Sequence, residues 1–221
     1  MREEKFTPMA SSSHFKTASS AISGKFIVIE GIDGSGKSTQ AKLLAERLHA
    51  LFTYEPTNLP IGALCRSAIR GEIDLSRSAL SLMLVADRLE HLKSLIMPAI
   101  SSGKTVICDR YYLSNMAYQA GHSLSISDIY ALNKSHVIPA PDLTVYLKIT
   151  PELALSRTTS RRGETSVFEN LQSLKSIERA YQEALIFVQA EGEYVISVEA
   201  NEERELITEQ ILSQVLKFFH T

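Results

Sequence analysis

Cysteine is scarce in these 221 residues: Cys65 and Cys108 are the only two. They lie far apart, which excludes a disulfide framework and the paired spacing of a cysteine-ligated metal or redox site. Cys108 ends an apolar run and is expected as a buried thiol, which suits a reducing, cytoplasmic compartment. No stretch of about 18 apolar residues exists, so no membrane span is expected. A dominant charge is missing too: 23 Lys and Arg face 25 Asp and Glu, a formal net charge of −2. That balance excludes bulk attraction to nucleic acid or to a membrane surface. Internal repeats are absent. Residues 1–23 lack apolar periodicity, are rich in serine and carry Glu3 and Glu4, so they read as a flexible extension and not as a leader. Residues 24–221 then have the length and the 44% hydrophobic content of one soluble domain.

What is present is organised around one stretch. Phe26 to Ile29 is an apolar, β-branched run that reads as a buried strand. It feeds Glu30-Gly31-Ile32-Asp33-Gly34-Ser35-Gly36-Lys37-Ser38-Thr39, and Gly31 to Ser38 matches the spacing G-x-x-x-x-G-K-[ST] of a phosphate-binding loop. Ala41, Leu44, Ala45 and Leu48 follow at helical spacing. Glycines let successive backbone N–H groups curl toward an anion, and the following helix adds the positive end of its dipole. Gly31, Ile32, Asp33, Gly34, Ser35, Gly36, Lys37, Ser38 and Thr39 are thus expected to bind ATP, with Ser38 a ligand to Mg²⁺.

Strand-like runs at 51–54, 105–108, 143–147 and 194–198 alternate with helical segments at 61–70, 76–101, 112–120, 125–136, from Pro151, 167–190 and 202–219. Alternation of this kind implies βαβ units and a parallel sheet, α/β in class, with helices on both faces. Ligands in such folds gather at the carboxyl ends of strands. Asp109 and Arg110 sit at one such end: Asp109 is expected in the Mg²⁺ shell, and the Arg110 fork suits a second phosphate group. Lys37 is the only cation of the loop, so the arginines at 157, 161 and 162 are expected in a lid, about 151–167, that supplies more positive charge. An arginine delivered this way can be worth about 10³–10⁵ in rate.

Ile29 to Gln40 resembles the opening of the thymidylate kinase family. The similarity continues through Glu55-Pro56, Ala86-Asp87-Arg88, Asp109 to Gln119, Pro141 to Leu147 and Arg161-Arg162-Gly163-Glu164, and covers roughly residues 24–218. The resemblance implies a P-loop NTPase three-layer sandwich with a short lid. It implies ATP-dependent phosphorylation of thymidine monophosphate to the diphosphate, with Mg²⁺, in a homodimer. By resemblance, Arg110, with Arg66 as a second candidate, grips the acceptor phosphate, and Arg88 meets the thymine carbonyl. Asn115 meets the base edge, Tyr118 crowds the sugar 2′ position, and Asp33 lies near the 3′-hydroxyl. Glu55, Leu84, Ser114 and Gln119 complete the acceptor site, and Arg157 joins the ATP site. Catalysis is assigned to Lys37, Arg110, Arg161, Arg162 and Asp33. Leu84 departs from the family, where an aromatic ring usually stands at this position.

Two rival readings remain open at this level. A deoxynucleoside kinase would use Glu55 as the base for a hydroxyl acceptor. A guanine-nucleotide switch would need an Asn-Lys-x-Asp signature; Asn133-Lys134-Ser135-His136 starts it but lacks the Asp, and reads as a helix surface.

Overall fold

The computed structural model describes residues 22–121, 123–135, 138–162 and 167–220. Its strands are β1 (Phe26–Glu30), β2 (Leu51–Tyr54), β3 (Val106–Asp109), β4 (Leu143–Lys148) and β5 (Val195–Glu199). They form one parallel sheet in the order β2-β3-β1-β4-β5. β1 and β3 are buried along their whole length, as their unbroken apolar runs require of central strands covered on both faces. The register sets Ile29 beside Asp109 and Val145, so the strand ends that carry charge line up along one edge.

The described helices are α1 (Lys37–Leu48), α2 (Pro60–Ile69), α3 (Arg77–His91), α4 (Met97–Ser101), α5 (Tyr112–Gln119), α6 (Ile126–Ser135), α7 (Pro151–Arg162), α8 (Val167–Ala190) and α9 (Arg204–His220). α1 packs on β1, β2 and β3 and against α9; α3, α5, α6 and α8 form a second packed group. The chain leaves β1 toward β2 and leaves β4 toward β5. These connections diverge at neighbouring strands and open a crevice at the carboxyl edge. No described helix is long and apolar enough to cross a membrane.

The segment expected as one helix over 76–101 is helical throughout but not uniform. Between α3 and α4, Leu92–Ile96 widens into a π-helical turn. Pro98 explains it: proline has no N–H to donate, and its ring crowds the carbonyl four residues back, so the ladder must open. Ser94 Oγ also donates to Glu90 O at 2.6 Å, competing with the ladder at that carbonyl. Ile22 and Ser23, read above as the end of the extension, belong to the packed domain. Ile22 is buried and Ser23 Oγ donates to Gly103 O at 2.6 Å. Residues 1–21 of the extension lie outside the described residues.

Gly62 on α2 packs closely against the segment that follows β2. A Cβ there would stand 2.3 Å from Thr57 O and 2.7 Å from Asp87 Oδ1. Alanine is a better helix former by roughly 1 kcal/mol, but overpacking of this severity typically costs about 1–3 kcal/mol. Gly62→Ala is therefore expected to lower the urea midpoint; a midpoint that stayed level or rose would mean the 55–62 loop yields freely.

Candidate active site

The loop after β1 is shaped by what stands beside it. Gly34 has φ +86, and a Cβ on it would lie 2.2 Å from Ala154 O in α7. The loop thus rests directly on the helix that follows β4. Lys37 folds back along it, donating from Nζ to Ile32 O at 2.7 Å and lying 3.7 Å from Asp33 Oδ1. Burial, reinforced by the Arg110 charge, pushes the Lys37 ammonium down to about 8, while Asp33, Asp109 and Glu30 pull the other way. Ser38 Oγ donates to Asp109 Oδ2, as the strand register allows. Among the described residues, Asp109 Oδ1 and Ser35 Oγ are buried without hydrogen-bond partners. Leaving a buried polar atom unpaired costs about 1–3 kcal/mol, so their clustering at the loop marks a place built for a ligand. A hydroxyl and a carboxylate are hard oxygen donors of the kind Mg²⁺ takes alongside phosphate oxygens and water. Ser38 and Asp109 fit that role.

Beyond Asp33 lies a cavity of about 550 Å³. Arg110 is poised at its inner end, where β3 gives way to α5. Its backbone is held at φ 72, in the left-handed region, at a cost of order 1–3 kcal/mol that functional sites commonly carry. Its guanidinium donates to Asp33 Oδ1 from Nη2 and to Ser114 Oγ from Nη1 at 3.0 Å, and lies 5.2 Å from the Tyr118 ring centroid. Arg110 and Lys37 together hold the Asp33 carboxyl below the usual carboxylate range against the opposing effect of burial, although 57% of its side-chain surface is open. One carboxylate oxygen therefore bridges the loop cation and the cavity cation.

Glu30 anchors this arrangement from behind. Fully buried, it accepts from the backbone N–H groups of Tyr111 at 2.8 Å and Ser114 at 3.1 Å. It also accepts from the hydroxyls of Ser114 at 2.7 Å and Tyr181 at 3.0 Å. Burial pushes its carboxyl up, and the Ser114 bonds and the Arg110 charge offset that in part. A carboxylate at the start of α5 is favoured by the exposed N–H groups and dipole there. Further along α5, Asn115 Oδ1 and the Tyr118 hydroxyl are buried without hydrogen-bond partners among the described residues. Burial pushes the Tyr118 phenol up to about 12; Asp33 and Arg110 act on it electrostatically, but neither meets it in good hydrogen-bond geometry.

The outer floor of the cavity is a charged cluster. Arg88 is 1% exposed. Its Nε and Nη2 both reach Glu55 Oε2, at 2.9 and 2.7 Å, and its Nη1 donates to Asn133 Oδ1 at 2.6 Å. Glu55 Oε1 is taken by His91 Nδ1 at 3.2 Å. With both oxygens engaged, Glu55 is badly placed to act as the general base that a hydroxyl acceptor needs. Asn133, expected on a helix surface, is fully buried in this cluster because α6 turns it inward onto Arg88. Asp87 accepts from Thr57 N at 2.8 Å and Thr57 Oγ1 at 2.5 Å.

A family model described as thymidylate kinase matches residues 29–211. The chain belongs to the thymidylate kinase family. It is 43% identical to a thymidylate kinase of Leptospira interrogans over 166 residues, covering 72% of this chain and 81% of that one. It is 37% identical to the thymidylate kinase of Desulfotalea psychrophila over 198 residues, 87% of this chain and 94% of that one. With a probable thymidylate kinase of Methanococcus aeolicus the identity is 36% over 195 residues, 87% and 96% of the two chains.

In this member of the thymidylate kinase family, every residue expected around the acceptor lines the same cavity: Asp33, Glu55, Arg66, Leu84, Arg88, Arg110, Ser114, Asn115, Tyr118 and Gln119. Arg66 is partly committed elsewhere, its Nη1 donating to Pro56 O at 2.9 Å and also to Thr57 O. Arg157 donates from Nη1 to Ala200 O at 2.9 Å, tying α7 to the end of β5. Residues 163–166 of the lid, and the side chains of Arg161 and Arg162, lie outside the described residues. His91, Asn133, Thr53 and Thr57 were missed from the sequence. The available signal was spacing: Leu84, Arg88, His91 and Leu95 recur at helical intervals, which sets two polar residues in an apolar stripe.

Proposed function

We propose that this chain transfers the terminal phosphoryl group of ATP to thymidine monophosphate, giving ADP and thymidine diphosphate, with Mg²⁺. The single observation that carries the proposal is Asp33 Oδ1, which bonds to Arg110 and lies 3.7 Å from Lys37. A triphosphate in the loop and a monophosphate on Arg110 would thus meet end to end. An acceptor oxygen of the monophosphate forms the new bond to the γ-phosphorus, and the bond from that phosphorus to the β,γ-bridging oxygen breaks. The acceptor carries about −1.5 to −2 charge at pH 7, so it needs cations to overcome repulsion and no general base. Lys37 and the loop N–H groups bind the donor phosphates, and Ser38 and Asp109 would hold Mg²⁺, which neutralises charge on the transferring group. Arg161 and Arg162, at the end of α7, are the proposed suppliers of further charge. Arg88 and the unpartnered Asn115 Oδ1 face the base, Tyr118 the sugar. Leu84 lends apolar contact where stacking would otherwise act.

Pairing of two copies belongs to the same proposal. Leu64, Leu82, Leu95 and Met97 are between 36% and 51% exposed, an apolar supply for a helix-to-helix contact.

The test is a coupled assay with ATP over thymidine monophosphate, the other common monophosphates, and thymidine itself. Turnover is expected with thymidine monophosphate and not with thymidine. Phosphorylation of thymidine, or nucleotide binding without transfer to any monophosphate, would overturn the reading.

A further inference from the structure

Three alternate residues at and beyond the end of β2 are each gripped by one stripe of α3. Thr53 Oγ1 meets His91 Nε2 at 2.7 Å, Glu55 meets Arg88 and His91, and Thr57 meets Asp87. From this we infer that His91 is a positioning residue for base recognition: by occupying Glu55 Oε1 it dictates how Arg88 presents its guanidinium to the acceptor. The inference rests on the assignment of Arg88 to the thymine carbonyl.

The geometry is unusual for an arginine–carboxylate pair. Such pairs commonly form two parallel bonds, one to each oxygen. Here Arg88 Nε and Nη2 share Oε2, because the ring of His91 holds Oε1. A carboxylate can only accept, so Nδ1 must carry the proton on that side. Nε2 then faces the Thr53 hydroxyl, which can accept from it or donate to it. Thr53 thereby orients the ring, the ring orients the carboxylate, and the carboxylate with Asn133 Oδ1 orients Arg88. Nε and Nη1 of Arg88 donate to Glu55 Oε2 and Asn133 Oδ1, and Nη2 lies 2.7 Å from the same Glu55 oxygen, while the guanidinium also lines the acceptor cavity. Without His91, Glu55 is free to turn and take a parallel pair of bonds, and the guanidinium must rotate with it. Thr53, Glu55, Arg88, His91 and Asn133 are each at most 7% exposed, so water is a poor substitute for the missing donor.

His91 does not line the acceptor cavity, so its loss should separate the two substrates. In His91→Ala, KM for thymidine monophosphate is expected to rise roughly tenfold, the size of one lost hydrogen bond to a charged group. kcat and the KM for ATP should stay within about twofold. The preference for thymidine over deoxycytidine monophosphate, which has an amine where thymine has the carbonyl, should shrink by a similar factor. His91→Asn, which restores an N–H toward Glu55, should recover most of both losses. Thr53→Val keeps the volume and removes the hydroxyl, so it should raise the same KM about threefold and serves if the His91 variants do not fold. A KM for thymidine monophosphate unchanged in these variants, losses shared with ATP, or an Asn variant no better than Ala would overturn the inference. If the unmodified chain fails to phosphorylate thymidine monophosphate, the functional reading falls first, and this inference with it.

Discussion

Lys37→Ala is expected to leave a folded chain whose phosphoryl transfer is reduced at least about 10²–10³-fold, the range seen when one preorganised donor to a developing anion is removed. The side chain lies buried along the loop, bonded to Ile32 O and close to Asp33. Its ammonium, pushed down to about 8, is poorly compensated there. A lysine whose folded value lies below its unfolded value is a penalty on the fold below pH 8, and the penalty lifts as pH rises through 8 toward the ordinary value. Removing the side chain should therefore not lower the denaturation midpoint at pH 7, and should flatten the rise in stability between pH 8 and 10. Bound phosphates favour the charged form, so ATP should bind with net proton uptake when calorimetry is run near pH 8.5 in buffers of different ionisation heat. A mutant that stays folded and keeps near-normal turnover would refute the donor-site assignment outright.

The sheet and the loop were readable because their signals are local. A β-branched run, a glycine pattern and a helical stripe specify strand, loop and helix within some 25 residues. Asp109 and Arg110 were readable for a similar reason: charge at the end of an apolar strand has no packing explanation. What could not be read was the company these residues keep. Asn133 lies 45 positions from Arg88 and Tyr181 lies 151 from Glu30, and only the fold brings each pair together. His91 and Asp87 were legible in principle, since they share the stripe of Leu84, but polar residues on a helix usually mean solvent. Their burial depends on β2 and the loop after it offering Thr53, Glu55 and Thr57, which no local pattern announces. The π-helical turn has no local signature, because Pro98 sits inside an apolar helical period that runs up to it unbroken.

The Arg110 and Arg88 substitutions divide acceptor phosphate from acceptor base, and the structure changes how each must be made. Arg110 is paired with Asp33, an acid more than half open to solvent, so Arg110→Ala leaves behind a carboxylate that water can hydrate. Arg110 itself is 21% exposed, but a pair with one partner this open is close to the surface case of about 0–1 kcal/mol, and the variant should fold. Its kcat/KM should fall by at least about 10²-fold for every monophosphate accepted, since hydrogen bonds to charged groups contribute about 1.5–3 kcal/mol each and the fork makes two. Arg88 is different. Its partner Glu55 has a side chain only 4% exposed, and stripping one member of a buried pair typically costs about 3–5 kcal/mol of stability. Arg88→Ala alone would confuse lost recognition with lost folding. The pair Arg88→Met with Glu55→Gln removes both charges at similar volume and keeps an acceptor for His91. That double variant is expected to lose about 10–10²-fold in kcat/KM for thymidine monophosphate and far less for deoxycytidine and deoxyguanosine monophosphates. The measurement is kcat/KM for the three acceptors with each variant. Uniform loss in the double variant would assign Arg88 to phosphate, and a base-selective loss in Arg110→Ala would exchange the two roles.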